Sequence, residues 1–530
     1  MANLNAHEAG NGGKKPRGCL QPTKSPLLGG QSQRSVILGG PGSGKSALLR
    51  TLAIELLSEE PIFQQAALRW GTMLPVWISF SFWTSLNTKR DSPISLSECL
   101  SVWFKQFDQS EVWPLVQSAI EDERLLLLVD GLDEWTDEIA ARTTSTQLQT
   151  FIQLRNIPAV LVSRTYGFER VSVQGEDWQV GYLAPLSGGQ QRELVSKWLA
   201  IHRTRAEQSS EQVGGPPSEH KGHGKEMEEF IRKLERSSDL VQLAEVPLTL
   251  LLLLYLHLQN VPLPTSRFDA YEHVVKHFIQ EHPLARKTSA ASTSDASALD
   301  HEEIRHALAY IAYVVQTKFP AGVLTAVDIR DGLESFLRDD TEYGLGLSRQ
   351  EALEVLHSFT NVEEGSLGLL VSQGQSQISF FHRSLQEYLA AVHLARTPLS
   401  NQSTTIQANL ADARWREVIV GLVFLCPRGE DASALVDIID LLETDTLGSL
   451  SKEDILAEVA FKNSNLAQTR VKTLVLRAFG IIETSFIASQ RSRVLAHAMS
   501  GLHLRKNRSV IQGPPQTMDF FKRIVGTWAH

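Results

Sequence analysis

Three short apolar runs without internal alternation stand out along the chain: Val36-Ile37-Leu38, Leu125-Leu126-Leu127-Leu128-Val129 and Ala159-Val160-Leu161-Val162. Runs of three to five apolar residues with no polar face predict strands covered on both sides, as in a parallel sheet between helix layers. Leu74-Pro75-Val76-Trp77-Ile78-Ser79-Phe80 also has strand character, and Trp178-Gln179-Val180 begins one more short strand. Between them, Ala47 to Leu57 is Ala/Leu-rich and reads as a helix, and Leu96 to Phe107 carries apolar residues at helical spacing. This alternation predicts an α/β class with a doubly wound sheet. Beyond Ser187, a plausible N-cap, the pattern to Ala200 is helical, as is Met227 to Gln280, interrupted at Val261-Pro262-Leu263-Pro264. A helix is expected over His301 to Thr317. Leu367 to Val371 and Gln377 to Phe381 flank Ser372 to Ser376 as a hairpin that runs into a helix from His382 to Ala395. Alternating helices with one hairpin suggest a winged-helix domain. The remainder, Leu399 to His530, is mostly helical with a weaker amphipathic pattern, and no fixed-period repeat marks a solenoid.

Polar stretches divide these elements. Met1 to Arg34 is rich in Gly, Asn, Lys and Pro, Arg205 to Glu226 in Gly, Ser, Glu, Pro and His, and Lys287 to Ala298 in Ser, Ala and Thr. The expected organisation is therefore a flexible N-terminal segment (1–32), a nucleotide-binding domain (33–204) and a flexible linker or insertion (205–226). A helical domain (227–298), a winged-helix domain (299–397) and a helical C-terminal region (398–530) follow. For 530 residues, several domains are what ordinary domain sizes require. The net charge of −9 is well mixed in sign, so the overall balance does not indicate nucleic acid. Cys19, Cys99 and Cys426 are far apart and show no C-x-x-C spacing, which argues against a disulfide framework and fits a reducing, cytoplasmic compartment. The N-terminal stretch has no apolar core of signal-peptide type. The longest apolar run, Val246 to Leu258, is too short to span a bilayer and reads as a buried helix.

The chemistry is concentrated first at Gly39-Gly40-Pro41-Gly42-Ser43-Gly44-Lys45-Ser46, which lies between the first strand and the first helix. By chance the pattern should arise about 0.02 times in a chain this long at average residue frequencies. Its glycines allow a concave nest of inward-pointing N–H groups, and the start of the helix, entered at Ala47, adds positive potential. Lys45 reaches the β- and γ-phosphates of a nucleotide, and the Ser46 hydroxyl is placed for Mg²⁺. The second concentration is Asp130-Gly131-Leu132-Asp133-Glu134 at the carboxyl end of the most apolar strand, which faces the ligand crevice of such a sheet. Asp130 suits a Mg²⁺ held through water. Asp133 or Glu134 would polarise the attacking water, and the spacing does not decide between them.

Leu127 to Glu134 resembles the second motif of NACHT-domain NTPases of the STAND class, with a small residue after the first Asp and an Asp-Glu pair two further on. Leu161-Val162-Ser163-Arg164-Thr165 is similar to that family's sensor strand, and Val246-Pro247-Leu248-Thr249-Leu250 to its adenine-side proline motif. Phe381-His382-Arg383-Ser384-Leu385-Gln386-Glu387-Tyr388-Leu389-Ala390-Ala391 resembles its winged-helix signature. The resemblance spans roughly Gln33 to Leu394, with Ser46 in place of threonine and Thr165 where a proline is usual. It implies ATP and ADP with Mg²⁺ as ligands, Pro247 beside the adenine, Arg164 as a sensor of the reaction and His382 on the β-phosphate of ADP. It further implies a closed monomer held by ADP, exchange for ATP on a trigger, homo-oligomerisation, and a role in innate immunity, including defence against phage. About thirty residues precede the first strand, so output is expected from the C-terminal region, a recruited partner or a neighbouring gene; neither trigger nor effector is named by the sequence.

Other patterns dissolve on inspection. Leu186-Ser187-Gly188-Gly189-Gln190 spells the signature of ABC ATPases, but it follows the Asp strand where that signature should precede it; a helix start capped by Ser187, with Gln190 at the third position, accounts for it. Thr88-Lys89-Arg90-Asp91 matches a guanine-reading motif placed on the wrong side of the Asp strand, so ATP is favoured over GTP. His273 and His277 share a helix face without a third ligand, and His301-Glu302-Glu303-Ile304-Arg305-His306 has the wrong spacing for a metalloprotease. The expected function is a slow ATPase acting as a switch. An ABC-like or other P-loop motor that turns over ATP continuously, and a non-hydrolysing nucleotide-binding scaffold, are the rival readings.

Overall fold

The computed structural model describes residues 33–484 apart from 212–222, 281–299, 361–368, 373–376, 427–429, 443–445, 463–465 and nine single positions (89, 91, 108, 136, 169, 172, 174, 176 and 342), together with residue 494. The expected flexible N-terminal segment, Cys19, parts of the guanine-type motif, the whole Lys287 to Ala298 stretch and nearly all of the chain beyond 484 lie outside the described residues. The chain falls into two compact units, one ending at Ala390 and the other beginning at Ala391.

In the first unit, β1 (Arg34–Leu38), β2 (Leu74–Ser79), β3 (Leu125–Asp130), β4 (Ala159–Ser163) and β5 (Trp178–Tyr182) form one sheet in the order β2-β3-β4-β1-β5. Every pairing is parallel, with Val36 opposite Leu161 and Ser79 opposite Asp130. Successive side chains of a strand point to opposite faces, and here both faces are buried. Val36, Leu38, Leu125, Leu127, Val129, Ala159 and Leu161 enter one core with Phe80, Leu148 and Ile152. Ile37, Leu126, Leu128, Val160 and Val162 enter the other with Leu48, Leu49, Leu52 and Trp70. That two-sided burial is the physical origin of the runs without alternation, each such side chain contributing about 1.5–3 kcal/mol. The edge strand β5 is different, with Val180 and Tyr182 exposed.

Several helices were not legible as patterns: Gln64–Trp70, Phe80–Thr88, Trp113–Glu121 and Glu138–Leu154. The strand expected to run through Phe80 ends at Ser79, because Phe80, Phe82 and Trp83 are buried on a helix that starts there. A larger correction concerns the stretch read as a flexible linker from Arg205. The helix Gly188–Glu211 continues through its first residues and His223–Glu235 begins before its last, leaving 212–222 outside the described residues. Arg, Glu, Gln and Ala are good helix formers even where they offer no apolar face.

The helices Gly188–Glu211, His223–Glu235, Ser238–Ala244 and Pro247–Leu258 share a core of Val195, Leu199, Phe230, Leu234, Leu250, Leu253 and Leu254. Pro247 stands in the first turn of its helix and Val246 before it is extended (φ −100, ψ 123), the geometry a proline imposes on its neighbour. Arg267–Gln280 and His301–Lys318 follow, the latter opened by a capping box in which Glu303 N–H donates to Asp300 Oδ1 (2.8 Å) and Asp300 N–H to Glu303 Oε2 (2.7 Å). A second, antiparallel sheet of order β6-β8-β7 comprises β6 (Val323–Thr325), β7 (Leu370–Ser372) and β8 (Gln377–Phe380). The hairpin β7–β8 stands where the pattern placed it; β6, three residues long, did not announce itself. Helices Ala326–Arg338 and Arg349–Thr360 lie between β6 and β7, and β8 leads through Phe381 and His382 into helix Arg383–Arg396.

The second unit is helical over Leu399–Asn409, Arg416–Leu425, Glu430–Leu441, Thr446–Lys462 and Gln468–Thr484. Within it the buried Arg416 guanidinium is satisfied by Asp454 (2.5 Å), Glu417 (2.5 Å) and Glu458 (2.6 Å). No helix among the described residues is long and apolar enough to cross a membrane.

Candidate functional site

The loop after β1 takes its shape from Gly42 and Gly44, both left-handed (φ 71 and 92). Its first N–H is tied to the sheet, Gly39 donating to the Ser163 carbonyl (3.2 Å), and Ser43 N–H closes the turn onto the Gly40 carbonyl (3.3 Å). Lys45 opens the helix Lys45–Leu56 and donates through Nζ to the carbonyls of Gly39 and Gly40, both at 2.9 Å. Burial, and then the field of Arg164, lowers its pKa to about 8. Pro41 is half-buried, and Gly40, Ser46 and Ala47 face outward.

From the other side the proline motif closes on this loop. Leu248 N–H donates to the Gly42 carbonyl (3.3 Å), and a Cβ on Gly42 would meet Leu248 Cβ at 2.9 Å and Val246 Cγ1 at 3.3 Å. Pro247 is therefore held at the edge of the loop by its two neighbours.

β4 lies between β1 and β3, so the ends of three strands deliver Gly39, Asp130 and Arg164 to one crevice. Ser46 Oγ donates to Asp130 Oδ1 at 3.0 Å. Burial, and then the charge of Glu134, raises the Asp130 pKa to about 6. Gly131 turns the chain with φ 74, and Glu134 folds back so closely that a Cβ on Gly131 would meet its Cδ at 2.8 Å.

The two acids that spacing could not separate have different surroundings. Asp133 is buried, 3% exposed, and its Oδ1 accepts from Arg164 N–H (2.8 Å) and Ser163 Oγ (3.2 Å), while Oδ2 faces Arg164 Nε at 3.6 Å. A Cβ on Gly167 would fall within 2.0 Å of Asp133 Cβ, so the acid is walled in as well as bonded. Glu134 has a side chain 26% exposed and, among the described residues, is paired with Arg383 Nη1 at 2.5 Å. Burial raises its pKa, with the Arg383 charge opposing.

Helix Arg383–Arg396 brings two residues to which the sequence assigned no role. Glu387, 1% exposed, accepts through Oε1 from Arg164 Nη2 (2.7 Å) and from Arg383 Nε (3.2 Å). The result is an unbroken alternation of charge, Glu134–Arg383–Glu387–Arg164–Asp133. On the sequence Arg383 and Glu387 look like a solvated i, i+4 pair at a helix start; the apolar residues around them were the signal that they are not. The helix is set in place independently, by Gln386 Nε2 donating to the Ala312 carbonyl (3.0 Å) and Gln316 Oε1 (3.1 Å) and by the Tyr388 hydroxyl on Glu272. His382 accepts at Nδ1 from Ser384 N–H (3.0 Å), which fixes the proton of the neutral ring on Nε2. Burial, then Arg164 and Lys45, lowers its pKa to about 4, so the ring is neutral near pH 7.

Do these residues fit a Mg²⁺ nucleotide? The loop offers donors and an ammonium at its rim, and a Cβ on Gly40 or Gly44 would meet nothing, so the approach to the loop is open. Ser43 Oγ, within the loop, is buried without a hydrogen-bond partner among the described residues, a cost of the order of 1–3 kcal/mol that a phosphate acceptor would relieve. Ser46 and Asp130 provide hard oxygen donors for a cation that usually keeps several waters and phosphate oxygens. The residues fit. The sequence-predicted set Gly39 to Ala47, Asp130, Asp133, Glu134, Arg164, Pro247 and His382 is thus gathered around one crevice in the first unit.

The remaining motifs behave as ordinary structure. Ser187 N–H and Oγ both donate to Gln190 Oε1 at 2.9 Å, the signature of a helix start. His273 Nδ1 lies 2.7 Å from the Asp269 carbonyl, His277 packs edge-on to Tyr255, and no group of three or more His, Cys, Asp or Glu among the described residues is arranged to hold an ion. Cys99 and Cys426 are buried.

Residues 33–201, which hold all five strands of the parallel sheet, match the family model of the NACHT domain. No curated protein matches the chain. Among solved structures it is similar to a Signal Transduction ATPase with Numerous Domains (STAND) protein with a tetratricopeptide repeat sensor from Pyrococcus horikoshii, at 13% identity and a TM-score of 0.31, over 92% of this chain and 68% of that one. It is similar also to the Drosophila ORC bound to DNA (12% identity, TM-score 0.22, 66% of this chain and 86% of that one). A third likeness is to the S. cerevisiae Hsp104-ADP complex (12% identity, TM-score 0.25, 90% and 57%).

Proposed function

We propose that this chain, whose residues 33–201 form a NACHT domain, is an ATP/ADP-switched signalling NTPase of STAND type. The observation that carries the reading is the convergence of Lys45, Asp130, Glu134 and Arg164 with His382 in one crevice, because His382 comes from the far end of the first unit. A nucleotide that touches both would bind the loop and the helix Arg383–Arg396 together, and its exchange would part them. The sheet β6-β8-β7 with its flanking helices supports reading 299–397 as a winged-helix domain, and the helix Arg267–Gln280 with the helices upstream of it supports the helical domain before it.

Each residue then has a physical task. Lys45 neutralises phosphate charge beside the backbone donors of the loop. Ser46 and Asp130 hold Mg²⁺, which would supply further neutralisation of the phosphates when bound. Glu134 is the carboxylate placed to polarise a water, since it alone of the two acids keeps an exposed edge and, among the described residues, a single partner; Asp133 positions Arg164. His382 presents Nε2–H to a phosphate oxygen as a neutral donor. On the motif resemblance we further propose a closed ADP form, an opened and homo-oligomeric ATP form, and a role in innate immune or antiphage defence, with an unidentified trigger and effector.

The test is to denature the purified protein, identify the nucleotide it releases, and compare ATP and ADP affinity with a Lys45→Ala variant by calorimetry. ADP in the wild type and lost binding in the variant are expected. A nucleotide-free protein with undiminished ATP affinity in folded Lys45→Ala would overturn the assignment.

A further inference from the structure

Glu134 is restrained as it stands, because one of its two carboxylate oxygens is held by a guanidinium. Its Oε1 is 2.5 Å from Arg383 Nη1, and a charge-assisted bond of that kind draws down the basicity a water would need. The contact is not of Glu134's making. Arg383 is held where it is by Glu387 through Nε (3.2 Å), and the helix that carries both is anchored by Gln386 on Ala312 and Gln316 and by Tyr388 on Glu272. Glu387 Oε1 is in turn shared between Arg383 and Arg164, while its Oε2 is buried without a partner among the described residues. A buried carboxylate that lost one of its two cations would pull harder on the other.

We infer that Arg383 is a positioning residue that restrains Glu134, so that hydrolysis is licensed only when Arg164 turns from Glu387 and lets Glu387 draw Arg383 away. The inference rests on the reading of the crevice as an ATPase site and adds to it a gate that touches neither phosphate nor water. In the restrained state Glu134 has the right place and the wrong partner. When Arg164 moves toward a γ-phosphate oxygen, Glu387 is left with Arg383, and Glu134 Oε1 is released to turn toward a water. Nucleotide identity is thereby read at Arg164 and answered at Glu134, through three contacts: Arg164–Glu387 (2.7 Å), Glu387–Arg383 (3.2 Å) and Arg383–Glu134 (2.5 Å).

The experiment uses the full chain with Mg-ATP at saturation, single-turnover hydrolysis, and the affinity for a fluorescent ADP as an independent readout. Arg383→Met keeps the apolar stem and removes the cation. Its hydrolysis rate should rise about tenfold or more, the population shift that one charge-assisted bond represents, with ADP affinity changed no more than about threefold by the same logic of untouched phosphates. Arg383→Lys restores a point charge and should return most of the restraint. Adding Glu134→Gln to Arg383→Met should abolish the gain, which shows that it runs through Glu134. If Arg383→Met does not fold, Arg383→Gln takes its place, and failure of both to fold makes Arg383 a strut and overturns the inference. A folded Arg383→Met protein that binds ADP and hydrolyses at or below the wild-type rate overturns it as well. Loss of the nucleotide-binding reading would look different, since the wild type itself would then bind no fluorescent ADP.

Discussion

Asp133→Asn and Glu134→Gln should separate cleanly, one in stability and the other in chemistry. In Asp133→Asn the amide oxygen can still accept from Arg164 N–H and Ser163 Oγ, but the second atom becomes an NH₂ group facing Arg164 Nε, 3.6 Å away. An attraction between buried charges is replaced by donor against donor. Breaking a buried pair costs about 3–5 kcal/mol when the remaining ion is left alone. Arg164 keeps Glu387 at 2.7 Å, so the lower figure of about 2–3 kcal/mol for a charged hydrogen bond applies. At roughly 2–4 °C per kcal/mol for a domain of this size, the melting temperature should fall by about 4–12 °C. Glu134→Gln removes a partly exposed carboxylate whose only partner among the described residues, Arg383, retains Glu387, so its melting temperature should move far less. Its hydrolysis should instead drop by about a hundredfold or more, the usual range for losing a general base. Circular-dichroism melts and single-turnover hydrolysis at saturating Mg-ATP decide it. If Asp133→Asn melted like the wild type and did not hydrolyse, while Glu134→Gln hydrolysed normally, the two roles would have to be exchanged.

His382→Leu removes a neutral donor from the closed form alone, and should weaken ADP by about ten- to a hundredfold and raise the oligomeric fraction, read by chromatography with light scattering; an unchanged monomer with unchanged ADP affinity would make it an ordinary structural histidine. The same ring sets a pH dependence: its pKa falls from 6.5 to about 4 through burial, then Arg164 and Lys45, so the open or unfolded chain takes up the proton first and stability declines as pH drops from 6.5 to about 4, by up to about 3 kcal/mol. Denaturant midpoints across that window should show the slope in the wild type and lose it in His382→Leu. Gly42→Ala places a methyl 2.9 Å from Leu248 Cβ at a φ of 71, so it should both strain the loop and push off the proline motif; an ADP affinity equal to wild type would refute the close contact.

What the sequence made legible was whatever is contiguous. Gly39 to Ser46 needs only its own glycines and the strand and helix beside it; the strand stands where the pattern put it, and the helix begins two residues earlier than its Ala/Leu pattern, at Lys45. The parallel sheet was legible for a related reason, since burial on both faces erases the alternation that a half-exposed strand would show. The choice between Asp133 and Glu134 was not legible, because it depends on Ser163 and the Arg164 amide, a strand away, and on a helix hundreds of residues downstream. Arg383 and Glu387 show no role in the sequence for the same reason: the apolar residues around them mark burial, but their partners Glu134 and Arg164 are supplied only by the fold. Glu138–Leu154, rich in Thr, Ser and Gln, hid its apolar face of Ala141, Leu148 and Ile152 among residues of low helix propensity.

The chain of charges also gives a reason for the crevice to prefer one nucleotide while closed. Arg164 has two carboxylates, Asp133 on its own side and Glu387 on the helix Arg383–Arg396, and only the second can let go without disturbing the sheet. To reach a third phosphate, Arg164 must give up Glu387, which at 1% exposure has no water to replace it and already carries one unsatisfied oxygen. On the proposed switch, a diphosphate would demand nothing of Arg164 and would be compatible with the closed arrangement, whereas a triphosphate would compete with Glu387 for that guanidinium. A ligand shifts such an equilibrium only by its differential contact with the two forms. In this proposal that differential would run through Arg164 and His382, the first favouring opening with ATP and the second favouring closure with ADP. Glu387→Gln, which weakens the hold on Arg164 but leaves its packing in place, should therefore narrow the difference between ATP and ADP affinity while sparing their sum of contacts to Lys45.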